Sequence, residues 1–421
     1  MKPADRLHAV LAERNRSPRR AWFVPGRIEV LGKHTDYAGG RSLLCAVDRG
    51  FRIVAAPRDD RQITLVDPEQ GLEAALELDA SLPPSPGHWT AYPRAVARSL
   101  ALHFPDARRG ADIAFSSDLP PAAGISSSSA FLIAVFLALA GVNELEADRE
   151  FRRHVHGKED LAGFLAAVEN GYTFGTLAGD TGVGILGGSE DHTAILCCEP
   201  GRLAVYSFDP VRHERTLDLD PDLRFVIGSS GIVAEKAGAA REAYNRASIS
   251  TTQILELWND TTSRADRSLA AAATSAAEAP DRIRGIIRER GDATAPYLLA
   301  RFNQFFAESE EIVPAAAARL AAADYEGFGA LVDRSQALAE QLLGNQVPQT
   351  IDLARSARRL GALAASAFGG GFGGSVWTLV RAADVDAFIA RWSSAYRRAY
   401  PEDAPRAVFF ATTAGPAATE L

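Results

Sequence analysis

Long apolar runs are missing from this chain of 421 residues. The longest, Ala130 to Val142, falls well short of the roughly 20 residues that a membrane-spanning helix needs, so it reads as a buried helix and no membrane partner is expected. Cysteine is scarce: Cys45 and the adjacent Cys197 and Cys198 are the only three. Neighbours in sequence rarely bridge each other or supply a metal-ligand spacing, and a cytoplasmic location is expected. The segment Met1 to Arg20 is charged and helix-like and lacks the apolar h-region of a secretory signal, so export is not expected. A sustained basic run is absent too: 45 Lys plus Arg are scattered among 53 Asp plus Glu, the formal net charge is -8, and a nucleic-acid partner is disfavoured. No internal period of roughly 20 to 50 residues marks a solenoid.

What is present is enough apolar material, 47% of the residues, for two ordinary cores. Two domains are expected, 1–218 and 219–421, with the junction near Pro221. From Ala21 to about Asp79, short β-rich runs alternate with Gly, Pro and Asp breaks. A helix from about Thr90 to His103, a strand from Ala111 to Phe115, a loop of small residues and a long apolar helix follow in order. Glu144 to Asn170 reads as helical, and Ala194–Cys198 with Arg202–Phe208 reads as a hairpin. Ala234 to about Leu363 is dominated by helical periodicity. A strand from Ser375 to Val380 and a helix from Asp384 to Tyr396 close this second, mixed unit, and the small, polar tail from Thr412 is expected to be loose.

Three stretches carry chemistry. Pro25 to Gly40, PGRIEVLGKHTDYAGG, crowds Arg27, Glu29, Lys33, His34, Asp36 and Tyr37 between glycines at a strand exit. That density of polar groups suits a polyhydroxylated ligand, although a surface turn with ordinary charges is the competing reading. The same stretch does not make a P-loop: five residues separate its glycines instead of four, and His34 stands where Ser or Thr must bind magnesium. Pro120 to Ala130, PPAAGISSSSA, sets Gly124 and the serines Ser126, Ser127, Ser128 and Ser129 before an apolar helix. Backbone N–H groups and hydroxyls there can wrap a phosphate chain and face it with the positive end of the helix dipole, or form a Ser-rich cap without a ligand. Gly369 to Ser375, GGGFGGS, precedes an apolar strand and is weak by itself.

In this order and at these spacings the three stretches resemble the motifs of the GHMP kinase superfamily. GRIEVLGKHTDYAGG is similar to the galactokinase signature GRxNxxGEHxDYxGG, and the likeness runs from about Trp22 to Val380. It implies an α+β fold with a ribosomal-protein-S5 domain-2-like N-terminal domain and a ferredoxin-like C-terminal domain, with ATP beneath the Ser-rich loop. It further implies Asp191 as general base or hydroxyl-orienting group, and Arg27 as its electrostatic partner. His34 and Asp36 would grip sugar hydroxyls, with Lys33, Gly188 and Tyr244 at the same subsite. Gly124 and Ser126 to Ser129 would hold ATP, and Glu169 with Ser127 or Ser128 would hold Mg²⁺. The expected activity is ATP-dependent phosphorylation of the anomeric hydroxyl of galactose or a related monosaccharide, by a monomer or weak homodimer.

Several residues depart from the family pattern. Lys33 replaces a glutamate in a chain with only four lysines, and Glu29 replaces the usual asparagine. Lys33 could favour an acceptor bearing a carboxylate, as in a uronic acid kinase, or could pair with Glu29. Ala122 replaces a glycine of the phosphate loop, and about ten extra residues lie between Glu169 and Gly188. These changes leave a non-catalytic sugar and nucleotide sensor as the reading from a different class. Glu190 and His192 are expected to be structural or solvated.

Overall fold

The computed structural model of the chain describes residues 3–14, 16–18, 20–120, 123–232 and 239–421. Ala122 and the expected helix start at Ala234 lie outside the described residues.

The β-rich runs at the start of the chain fuse into two long strands, β1 (Arg20–Leu31) and β2 (Arg41–Pro57), paired antiparallel. The ladder shifts register between Pro25 and Arg27, where proline has no N–H to give. β3 (Gln62–Asp67) and β4 (Leu72–Glu77) form a hairpin, and β5 (Ala111–Ser117) joins it to β2, running parallel to β3 and antiparallel to β2. The long β2 accommodates a second partner on the same edge: β6 (Arg202–Ser207) pairs with Arg41–Leu44 and with β7 (Arg212–Asp218). The second sheet contains β8 (Leu223–Ser229), β9 (Ala364–Ala367), β10 (Ser375–Arg381) and β11 (Val408–Thr412), in the order β11-β8-β10-β9 and wholly antiparallel. β12 (Thr419–Glu420) returns to the first sheet at the edge of β1.

The helix Ser127–Val142 is apolar around most of its circumference because it is buried at the main core, against β1 and β2. That core also takes in Phe225, Ile227, Trp377 and Leu379 from the second sheet, so apolar packing continues from one sheet to the other. Helices Pro348–Arg359 and Val385–Ala399 contribute Leu353, Phe388 and Trp392 to a separate core on the second sheet. A third apolar cluster joins helices Ala239–Thr262, Ala279–Glu289 and Ala295–Phe306, and Ala38 of the first motif packs into it. Two sheets with helices segregated between and beside them make the architecture α+β.

Two local expectations are corrected. Ala194–Cys197 belongs to a helix, Glu190–Cys197, which Cys198 ends in an extended conformation, and β6 finds its hairpin partner in β7; a run of five residues is too short for periodicity to separate strand from helix. The C-terminal segment is anchored: Trp22 and Phe23 pair with Glu420 and Thr419, and Ala414 O accepts the Gly201 N–H at 2.9 Å. Main-chain pairing needs no bulky side chain, so the small residues gave no sign of it.

Candidate active site

All three motifs line one cavity of about 220 Å³. At its wall Arg27, on β1, meets Asp191, in the first turn of the helix Glu190–Cys197, across 164 positions of chain. The Arg27 Nε and Nη2 groups are both 2.6 Å from Asp191 Oδ1, while Nη1 donates to Gly124 O at 2.6 Å. Asp191 Oδ2 accepts the Ser126 hydroxyl and, at 3.3 Å, the Ser129 hydroxyl. One guanidinium therefore ties the carboxylate to the serine-rich loop. Burial alone would lower the pKa of Arg27, but Asp191, Glu190 and Glu29 outweigh it and raise the value above normal.

The loop reaches Arg27 because Gly26 lets it. A Cβ at Gly26 would stand 2.6 Å from Ile125 O, and the adjacent Arg27 N–H bonds that same oxygen at 3.1 Å. Ser126 to Ser129 line the cavity at the start of the helix Ser127–Val142, where the dipole favours an anion. Each motif also holds one non-glycine residue in the left-handed region: His34 at φ 56°, Ser126 at 54° and Phe372 at 58°.

Glu169, near the end of the helix Lys158–Asn170, is buried at the cavity with Oε2 3.0 Å from His192 Nε2. The contact is short, yet its angles do not make a hydrogen bond, so Glu169 Oε2 and both His192 ring nitrogens have no partner in the protein. Ser375 Oγ shares that condition and lines the same cavity. Buried polar atoms without partners are costly, and their concentration here marks a surface shaped for a ligand. Residues 180–187 pack on this helix and on the helix Ala91–His103. Val183 N–H bonds Glu169 O, Gly187 N–H bonds Asn170 Oδ1, and Arg98 pairs with Asp180 in two bonds of 2.5 and 2.6 Å.

His34, Asp36 and Tyr244 line the same cavity. The His34 and Tyr244 rings lie 4.9 Å apart, and His34 Nδ1 is 2.7 Å from the Tyr37 hydroxyl. Burial, with Arg301 nearby, pushes His34 down to about 3, so it is neutral at pH 7. Asp36 Oδ2 accepts the Glu190 N–H at 3.1 Å, and its pKa is raised by burial. A Cβ at Gly188 would sit 2.3 Å from that oxygen, so only glycine fits there. Glu190 accepts the Ser42 hydroxyl at 2.7 Å and is buried, as is His192; neither is solvated. Burial and the adjacent Glu29 carboxyl hold Glu190 well above the carboxylate range, and burial pushes Glu29 up to about 7 against the pull of Lys33 and Arg27.

Lys33 is the exception among the expected site residues. Its side chain is fully buried away from the cavity lining, and Nζ donates to Ser335 Oγ at 2.9 Å. The expectation of a substrate contact at Lys33 is corrected, because the ammonium faces the C-terminal helices and not the ligand space. Gly124, Ser127, Ser128, Gly188 and Glu169 all line the cavity. So do Glu29 of the first motif and Asn170, Glu190, His192 and Phe368, the last four of which sequence reasoning did not place in the site. Phe368 lies 5.8 Å from the Arg27 guanidinium. Asn170 directly follows Glu169, and that adjacency was the signal available for it.

Family models match three stretches of the chain: the galactokinase galactose-binding signature over residues 12–57, the GHMP kinase N-terminal domain over 91–181 and the GHMP kinase C-terminal domain over 315–398. The chain is 28% identical over 383 residues to a galactokinase of Chloroflexus aggregans, covering 90% of this chain and 88% of that one. It is 35% identical over 121 residues to a galactokinase of Actinobacillus succinogenes, 28% of this chain and 31% of that one. Among solved structures, Lactococcus lactis galactokinase complexed with galactose superposes with a TM-score of 0.80 at 22% identity, over 99% of each chain. L. major mevalonate kinase in complex with R-mevalonate gives 0.56 at 16% identity, over 95% of this chain and 99% of that one. At these identities the structural likenesses speak for the fold.

Proposed function

We propose that this chain, which belongs to the GHMP kinase superfamily and bears the galactokinase galactose-binding signature, is an ATP-dependent sugar kinase that phosphorylates the anomeric hydroxyl of galactose. The observation that carries the reading is the Arg27 bridge, which joins Asp191 to Gly124 O of the serine-rich loop inside a cavity lined by all three motifs. Phosphoryl transfer asks a protein mainly to position two reactants and to neutralise charge, and those parts are assembled here.

The sugar would lie against His34, Asp36 and Tyr244. Neutral His34 can give or accept a hydrogen bond through Nε2, and Asp36 accepts hydroxyls. Asp191 is the base: its Oδ2, held in the resting site by Ser126, takes the proton of the attacking hydroxyl as that oxygen reaches phosphorus. Arg27 orients Asp191, and it faces the charge that builds on the transferred group. The triphosphate would follow Ser126 to Ser129 at the helix start. Glu169, with its unpartnered buried oxygen, and the hydroxyl of Ser127 or Ser128 suit Mg²⁺. When bound, that ion would supply charge neutralisation there.

The relatives favour galactose over a uronic acid, and the buried Lys33 ammonium withdraws the residue on which a uronate reading rested. A coupled ADP-release assay across galactose, other monosaccharides and uronic acids, with an arm lacking Mg²⁺, tests the proposal. Magnesium-dependent turnover greatest with galactose is expected. Binding of galactose and ATP without ADP release would make the chain a sensor.

A further inference from the structure

Arg301, Gln304 and Glu308 stand at i, i+3 and i+7 on the continuous helix that begins at Ala295, a spacing that places them on one face. All three are completely buried, and such groups are costly inside a protein unless bonded. Their partners are main-chain atoms of one loop. Arg301 donates to His34 O, Gln304 Nε2 donates to Lys33 O at 3.0 Å, and Glu308 Oε1 accepts the N–H groups of Gly32 at 2.9 Å and Lys33 at 3.4 Å. Arg301 also donates to the Tyr37 hydroxyl at 3.1 Å, the group that contacts His34 Nδ1, and to Gln304 Oε1 at 2.5 Å. The helix widens to a π-turn over Ala307–Ile312. There Glu308 and its neighbour Ser309 both reach this segment, Ser309 Oγ accepting the Arg41 N–H at 3.0 Å. Ser335 Oγ lies 2.9 Å from both Lys33 Nζ and Glu308 Oε1, so the lysine balances the buried carboxylate through one hydroxyl.

We propose that Arg301, Gln304 and Glu308 are positioning residues that hold the sugar-recognition loop Gly32–Asp36 by its backbone, with Lys33 serving as the internal counter-charge of Glu308. The kinetic part of this inference rests on the sugar-kinase reading; the mechanical part does not. His34 and Asp36 ride on the loop, whereas the serine-rich turn and Glu169 belong to other elements, so loosening the rail acts on the sugar and spares the nucleotide.

The test uses the full chain with Glu308→Met, which removes the acceptor at similar length, and the milder Ser335→Ala. In Glu308→Met the KM for galactose should rise about tenfold or more while the KM for ATP stays within about twofold. Hydrogen exchange at the Gly32 and Lys33 amides should accelerate about tenfold, with β8 and β10 unchanged. Ser335→Ala should show the same split, smaller in size. Galactose and ATP KM values rising together, or unchanged exchange at Gly32 and Lys33, would overturn the proposal. If Glu308→Met does not fold, Ser335→Ala decides by the same two readouts. If the wild-type chain turns over no sugar, the functional reading fails and the exchange measurement still decides whether the rail exists.

Discussion

Arg27 donates its Nε–H to one oxygen of Asp191, with Nη2 in ion-pair contact with the same oxygen, while the other oxygen accepts the hydroxyls of Ser126 and Ser129. On the proposed reading of Asp191 as base, the incoming sugar hydroxyl would compete with these serines for Oδ2. Asp191→Asn keeps the shape and removes the proton-accepting charge. Its kcat should fall by on the order of 10² or more, with galactose binding retained by calorimetry. Near-normal turnover would remove Asp191 from proton transfer.

Glu169→Gln addresses the metal. If Glu169 holds Mg²⁺ beside the serine hydroxyls, the Mg²⁺ concentration for half-maximal ADP release should rise about tenfold, with little change in galactose KM. A purely structural partnership with His192 would instead lower the melting temperature and leave the Mg²⁺ titration where it was.

The Glu29 carboxyl gives a pH signature. Its pKa is pushed up from 4.5 to about 7, so between those values the folded chain binds more protons at this group than the unfolded chain does. Its contribution to stability therefore falls as pH rises from about 4.5 to about 7 and is level above that. Glu29→Gln removes the titration. Urea unfolding should show the variant gaining on the wild type by on the order of 1 to 3 kcal/mol across that window. A constant difference from pH 4.5 to 8 would mean that Glu29 is ionised throughout.

Gly26→Ala places a methyl group against Ile125 O. Overpacking of this kind costs about 1 to 3 kcal/mol, read as a lower urea midpoint. Because the displaced atoms belong to the serine-rich loop, the KM for ATP should rise as well. Stability lost without any change in ATP KM would uncouple the strand from the nucleotide site.

Much of this site was legible in the chain because its residues sit in compact, Gly-bordered motifs whose spacing is set by turn geometry. Arg27, His34, Asp36 and the serines are of that kind. Asp191 and Glu169 became legible only through resemblance, since a lone carboxylate in a Gly-rich loop or near a helix end has many ordinary explanations. Lys33 was misplaced for a definite reason. A loop residue's side chain can turn toward ligand or toward protein, and the deciding partners, Ser335 and Glu308, lie 302 and 275 positions away. Arg301 and Gln304 were invisible for the same reason: within a helical stretch they look like surface polar residues until another element covers them. The helix at Glu190–Cys197 and the anchored β12 were missed because short segments take their conformation from distant pairing partners.

His34, Ser126 and Phe372 occupy backbone conformations that glycine would adopt at lower cost, one in each motif. Glycine there would relax the main chain and forfeit a side chain that lines the cavity. The fold thus accepts local discomfort at three separate places to keep an imidazole, a hydroxyl and a ring at the cavity, so a more robust version of this protein made by relaxing those turns would also be a blunter one.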